Sequence, residues 1–182
     1  VLKIAKTNGF AESDSTNDID GIDSSHKLSL LSTICFGIKI NFSNINYSGI
    51  SNIKIEDINY AKKLGYKIKL ISKSEIQENS ISSIVEPILI KNTSQLANID
   101  GVLNAIKIET DHLDSLLIVG EGAGGKPTAS SVISDLFEIS KDIKTHSLGY
   151  KNSQLINIKS INYNERMTSY YLRIIVKDIP GV

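Results

Sequence analysis

A chain of 182 residues holds one domain and a remainder, which excludes a large multidomain enzyme. Twenty Lys and Arg against twenty Asp and Glu leave no net charge, so the basic field that a nucleic-acid or anionic-membrane partner requires is missing. With 41% hydrophobic and 22% charged residues the composition is globular, and disorder is excluded as the default.

Cys35 is the single cysteine and cannot form an internal disulfide, and no apolar run approaches the roughly 18 residues that cross a bilayer. No signal peptide opens the chain, so it reads as cytoplasmic, and the Asn-x-Ser triplets at 41, 46 and 92 carry no glycosylation meaning there. The sole methionine is Met167, so the sequence reads as a piece of a longer protein.

In residues 18–36 the apolar Ile19, Ile22, Leu30, Leu31 and Ile34 recur at near-helical spacing, and Gly37 supplies a stop. Residues 45–50 form a short strand. Residues 55–64 form a helix opened by acids at 56 and 57 and closed by Gly65, and residues 66–72 alternate as a strand, completing a β-α-β unit. Two β-branched runs, 81–90 and 102–109, flank a polar loop at 91–101. Residues 113–119 are a further strand that runs into the glycine-rich stretch 120–128, and a helix follows to Lys144. Pro127 suits the first turn of that helix, and Val132, Ile133, Leu136, Phe137 and Ile143 give it an apolar face. Residues 145–169 are polar, with Leu155, Ile156 and Ile158 in a short strand. The β-branched and aromatic run 170–176 is a strand entering a turn at 178–181, and a lone strand of this kind belongs with a unit beyond it.

Gly120, Gly122 and Gly125 fit a dinucleotide-type G-x-G-x-x-G after a strand and before a helix. No second hydrophobic parallel strand ending in an acid follows, so the unit that makes the motif specific is absent. The same stretch fits a P-loop spacing, but Pro127 stands where a Ser or Thr must ligate magnesium. The remaining reading is a tight strand-to-helix turn whose backbone contacts a cofactor held elsewhere.

Glu12, Asp14, Asp18, Asp20, Asp23 and Lys27 crowd the start of the first long helix. Acids there are ordinary partners of the helix dipole, and Asp23 with Lys27 is an ordinary i,i+4 pair. Functionally, the carboxylates could instead bind an ammonium group while Lys27, held by Asp23, delivers a proton to a developing alkoxide. His26, His112 and His146 lack metal-ligand spacing, so no metal is expected. His26 reads as packing or surface.

At these residues the chain resembles the signature segment of homoserine dehydrogenase: Ala5, then residues 9–14, then Asp18 to Asp23, and Lys27. Ser15 departs from the family's usual proline. The likeness continues through Gly49-Ile50-Ser51, Glu56-Asp57-Ile58, Ala61 to Gly65, Leu96 to Ala105, Gly122-Ala123-Gly124 and Pro127-Thr128-Ala129. The closing run 170–182 resembles the first strand and turn of an ACT regulatory domain.

The resemblance implies NAD(P)-dependent interconversion of L-homoserine and L-aspartate 4-semialdehyde, on the route to threonine, isoleucine and methionine. It makes Lys27 the acid/base, Asp23 its orienting partner and a substrate contact, Glu12 the ligand of the substrate amino group, and Asp18 a residue lining the pocket. It places Gly122 and Gly124 against the nicotinamide of NADP or NAD, a cofactor held mainly by an N-terminal domain outside these residues. The implied fold is α/β, a mixed β-sheet with helices on one face, acting as a homodimer on a small-molecule substrate. The implied organisation is a catalytic and dimerisation domain at 1–144, a connector at 145–168 and the start of an ACT domain at 169–182. Such a piece would lack useful turnover alone. Rival readings are a non-catalytic amino-acid-binding or dimerisation module, and a nucleotide-phosphate-binding fragment built on 120–128. The dehydrogenase reading requires positions 12, 23 and 27 to converge on one cavity.

Overall fold

The two central strands form because residues 66–77 and 80–91 are rich in β-branched side chains and are separated by only two residues, Glu78 and Asn79. A computed structural model gives the chain's architecture and describes residues 7, 14–39, 41–122, 124–141, 146, 148–161, 164 and 166–177. Strands β2 (Tyr66–Gln77) and β3 (Ser80–Lys91) pair antiparallel along their whole length, from Tyr66 opposite Lys91 to Gln77 opposite Ser80. Glu78 turns the corner with φ at 53°.

The other edge of β3 carries two short parallel partners, β1 (Asn46–Tyr47) at Ile84 and Val85, and β6 (Lys159–Ser160) at Ser80 and Ile81. The sheet order is therefore β1-β3-β2, with β6 also on β3. This corrects the expected β-α-β unit. Strands β1 and β2 are joined by a helix but are not neighbours, because the tight hairpin puts β3 beside β2 and leaves β1 the far edge.

Four helices are described: α1 (Thr16–Ile19), α2 (Ile22–Phe36), α3 (Ile55–Lys63) and α4 (Gly125–Ser140). The expected first helix is broken at Asp20–Gly21, where Gly21 caps α2 with φ at 81°; Gly37 ends it at φ 64°, donating its N–H to Thr33 O. Helices α2 and α3 both pack against β2. The dry centre consists of Leu28 from α2, Ile45, and Val85 of β3, with Leu70 of β2 against them.

The buried stripe of α2 differs from the apolar periodicity. Ser25, Leu28, Ser32 and Thr33 face inward, while Leu30 is 52% exposed and Ile34 also faces out. Small hydroxyl residues allow α2 to lie close to the sheet; Ser25 Oγ donates to Gly21 O at 2.6 Å, while the buried Ser32 Oγ finds no partner among the described residues.

Strands β4 (Leu103–Ile108) and β5 (Leu116–Glu121) make a separate antiparallel pair, so the expected mixed sheet is accompanied by a second, two-stranded one. Helix α4 stops at Ser140 with Lys141 as its cap, short of the expected Lys144. Its apolar residues Val132, Ile133, Leu136 and Phe137 are all more than half exposed, and none of its residues is buried. Ile143 lies outside the described residues.

The expected strand at 170–176 is not seen: the segment runs without ladder pairing, since a strand requires a neighbour and none of the described residues pairs with it. The turn at 178–181 falls outside the described residues. Side-chain bonds hold the segment instead, with Tyr171 hydroxyl and Arg173 both on Asp57 of α3.

Candidate functional site

Helix α2 begins where the chain reverses from α1, and that reversal is held from both sides. On the α1 side Asp14 Oδ1 accepts from Thr16 N–H at 3.0 Å and from the Thr16 hydroxyl at 2.6 Å, satisfying the start of the short helix. Across the reversal, Ile50 N–H donates to Ile19 O at 2.9 Å and Ser51 Oγ donates to Asp20 Oδ1 at 3.1 Å. Ser48 N–H in turn donates to Val85 O at 2.7 Å, which fastens the same loop to β3. The backbones are so close that a Cβ at Gly49 would overlap the Ile19 carbonyl and the Asp20 backbone. Only glycine fits there.

This arrangement fixes the first turn of α2, and with it Asp23. One turn on, Lys27 Nζ lies 2.7 Å from Asp23 Oδ2, in the acid-first i,i+4 order. The Lys27 side chain is 66% exposed and that of Asp23 42%, so the pair stands at an open surface, where such an ion pair adds little stability. His26 points elsewhere and stacks on Phe42, ring centroids 4.1 Å apart, in agreement with its reading as packing. Asp18 sits in α1 and is exposed.

Of the expected convergence, the structure brings together positions 23 and 27; Glu12 lies outside the described residues. The shared cavity is not formed by the described residues around the pair, which remain in contact with water. The described residues of this chain supply one wall of such a site at most. An ammonium with three donors beside a carboxylate can still bind and polarise a hydroxyl or carbonyl oxygen once water is excluded.

The second expected element is the β5–α4 turn. Gly124 adopts φ 109° and ψ 156° as the N-cap of α4, a conformation that L side chains rarely adopt. At Gly122 a Cβ would fall inside the Asn104 side chain, 2.7 Å from its Cγ. Gly120 and Gly125 have open space around them and the exposed Asn104 side chain at Gly122 can shift, so of the four glycines Gly124 is the one its backbone conformation holds to glycine. Strand β5 pairs antiparallel with β4, and no strand parallel to β5 is described after α4, so these residues do not make a complete dinucleotide unit.

Sequence reasoning passed over three residues that the structure uses. Ser51 and Asn104 lie in stretches that resemble the family, but nothing in their spacing shows Ser51 reaching Asp20 or Asn104 filling the space at Gly122. Asp57 reads as a helix-opening acid, which it is, yet it is also buried and bound by Arg173 and Tyr171 far along the chain. The Arg173 guanidinium, then the Lys54 N–H, hold its carboxyl below the usual carboxylate range. Burial first, and then the bond to Asp57, push the Tyr171 phenol up.

Comparison with known proteins places these features. The family model of homoserine dehydrogenase matches residues 1–137. A homoserine dehydrogenase of Neisseria gonorrhoeae is 38% identical over 187 residues, covering 100% of this chain and 43% of that protein. One from Helicobacter pylori is 39% identical over 181 residues, covering 100% of this chain and 42% of that protein. Among solved structures, a homoserine dehydrogenase of Thiobacillus denitrificans superposes with a TM-score of 0.79 at 40% identity, over 88% of this chain and 38% of that one. The chain thus spans about two-fifths of the length of the curated relatives it matches.

Proposed function

Because the chain belongs to the homoserine dehydrogenase family, we propose that it forms the substrate-binding and subunit-pairing part of an NAD(P)-dependent oxidoreductase that interconverts L-homoserine and L-aspartate 4-semialdehyde. The observation that carries this reading is the Asp23–Lys27 pair at 2.7 Å, seated at the start of α2 within the matched residues. In the reducing direction the Lys27 ammonium donates its proton to the oxygen that gains charge as the carbonyl is reduced. In the oxidising direction the neutral amine takes the hydroxyl proton back. Asp23 orients Lys27. Glu12 binds the substrate amino group and Asp18 lines the pocket. The nicotinamide cofactor supplies or accepts the hydride when bound, and Gly122 and Gly124 let the backbone approach it closely.

The proposal extends to organisation. Residues 1–144 are the catalytic and dimerisation domain, 145–168 a connector, and 169–182 the start of an ACT domain. The exposed apolar residues of β4, β5 and α4 support this, since they leave apolar surface on both sides of the β4–β5 pair and along α4 to be covered by the nucleotide-binding segment and a second subunit. Exclusion of water from the Asp23–Lys27 pair when substrate and cofactor bind would strengthen its interaction with a bound oxygen. In the cell the enzyme works in the cytoplasm, in the synthesis of threonine, methionine and isoleucine.

The test is Lys27→Ala in the full-length enzyme containing these residues. Loss of general acid/base catalysis lowers kcat by roughly 10²- to 10⁴-fold with homoserine binding largely kept. Turnover within threefold of the parent contradicts the assignment. A parent that binds homoserine without oxidising it, in the presence of NAD or NADP, favours the binding-module reading.

A further inference from the structure

The bonds that hold the C-terminal segment lead back to the Asp23–Lys27 pair, and Asp57 is the junction. It is the third residue of α3 and 4% exposed, and its two oxygens serve different parts of the chain. Oδ2 accepts from Lys54 N–H at 2.9 Å, fixing where the 48–54 loop meets the helix. Oδ1 accepts from Arg173 Nε at 2.6 Å and from the Tyr171 hydroxyl at 3.0 Å. The Arg173 Nη2 lies 3.4 Å from Oδ2, so the guanidinium spans both oxygens.

The other end of the same loop rests on the candidate site. Ile53 N–H donates to Ile50 O at 3.0 Å, Ile50 N–H to Ile19 O, and Ser51 Oγ to Asp20 Oδ1. Gly49 is packed backbone to backbone against Ile19 and Asp20, so this end of the loop has no slack. Asp20 is followed directly by Gly21, the cap of the helix that carries Asp23 and Lys27. A short loop fixed at both ends passes a shift at one end to the other, because close-packed groups have few alternative arrangements.

We propose that Asp57 is a positioning residue through which the C-terminal segment at 171–173 sets the placement of the Asp23–Lys27 pair. This rests on the reading of that pair as the acid/base couple. With the Arg173–Asp57 link made, the loop presses on the 19–20 reversal and the first turn of α2 is held. With the link broken, Lys54 and the loop relax, and the pair loses its fixed position. Residues 174–176 continue from Arg173 with apolar side chains exposed, so anything packing on them acts on the link.

A half-buried ion pair at the other anchor of the loop provides the control. Arg166 and Glu86 approach to 2.8 Å with side chains 17% and 19% exposed, and Glu86 stands on β3 beside Val85, whose carbonyl holds Ser48, so its loss separates general loosening near the loop from loss of the Asp57 link. The experiment compares Arg173→Leu, the milder Tyr171→Phe and the control Arg166→Leu in the full-length enzyme, by amide hydrogen exchange and steady-state kinetics. Arg173→Leu is expected to speed exchange at the Ile50 amide about tenfold and to lower kcat about fivefold, with the cofactor KM unchanged. Tyr171→Phe moves both in the same direction by less, and Arg173→Lys recovers part of the loss. Arg166→Leu lowers the melting temperature without changing Ile50 exchange relative to its neighbours. Exchange at Ile50 within twofold of the parent in Arg173→Leu overturns the coupling. Faster exchange with unchanged kcat, in an enzyme that Lys27→Ala disables, overturns the positioning role. If Lys27→Ala leaves turnover intact, the reading of the site fails, while Ile50 exchange still decides the coupling.

Discussion

Truncating Leu28 to alanine tests the core that seats α2. Its side chain is 5% exposed and meets Ile45, Val85 and Leu70, so the change removes buried methyl groups and leaves a cavity between helix and sheet. Buried Leu→Ala substitutions cost about 2–5 kcal/mol, rising with the volume that fails to collapse. The cluster here is small, with only three fully buried members, and α2 can settle toward the sheet over Ser25 and Ser32. The lower part of that range, about 2–3 kcal/mol, is therefore expected. Leu30, two positions on and 52% exposed, gives the internal comparison, and Leu30→Ala is expected to cost about 0.5 kcal/mol or less. Urea unfolding followed by far-UV circular dichroism suits a chain without tryptophan. Equal losses for the two variants would refute the inward orientation assigned to Leu28.

Two further outcomes follow from the same geometry. Asp57 has a carboxyl lowered from 3.8 mainly by Arg173, so its folded form binds the proton less readily than the unfolded chain. Its contribution to stability is present above pH 3.8 and is lost as pH falls through the lowered value. Asp57→Asn should flatten the acid limb of a urea-midpoint profile between about pH 2 and 6, and an unchanged limb would contradict the Arg173 contact. At the glycine turn, Gly122→Ala should raise the cofactor KM of the full-length enzyme about tenfold, a loss of roughly 1.4 kcal/mol, because the methyl group would stand where the proposed backbone approach to the nicotinamide is made. Gly120→Ala meets open space and should stay within twofold; equal effects would show that Gly122 has no special approach to the cofactor.

The sequence announces what local chemistry controls. Gly37 and Gly65 end their helices in the positive-φ conformation expected of stop signals, and the β-branched runs become the long hairpin. It does not announce partners. Residues 45–50 and 66–72 look like a β-α-β unit because periodicity carries no information on which strand lies beside which. The run 170–176 has the composition of a strand, but a ladder needs a neighbour. The apolar stripe of α2 misleads for a related reason: Leu30 and Ile34 suit a surface that the described residues do not cover, while the buried stripe sets Leu28 among Ser25, Ser32 and Thr33, which look polar in one dimension. At the site, the i,i+4 spacing of Asp23 and Lys27 is legible, and their pairing follows from helix geometry. The loop that holds them joins residues 31 positions apart, and the Asp57–Arg173 bond spans 116, distances at which spacing says nothing.

The most direct measurement is a crystal structure of the full-length enzyme with homoserine and an unreactive cofactor analogue bound. The account expects the substrate hydroxyl within hydrogen-bond reach of Lys27 Nζ, about 2.6–3.2 Å, with Asp23 on the same ammonium and bulk water excluded. Homoserine bound elsewhere, with Lys27 and Asp23 still open to solvent, would contradict it.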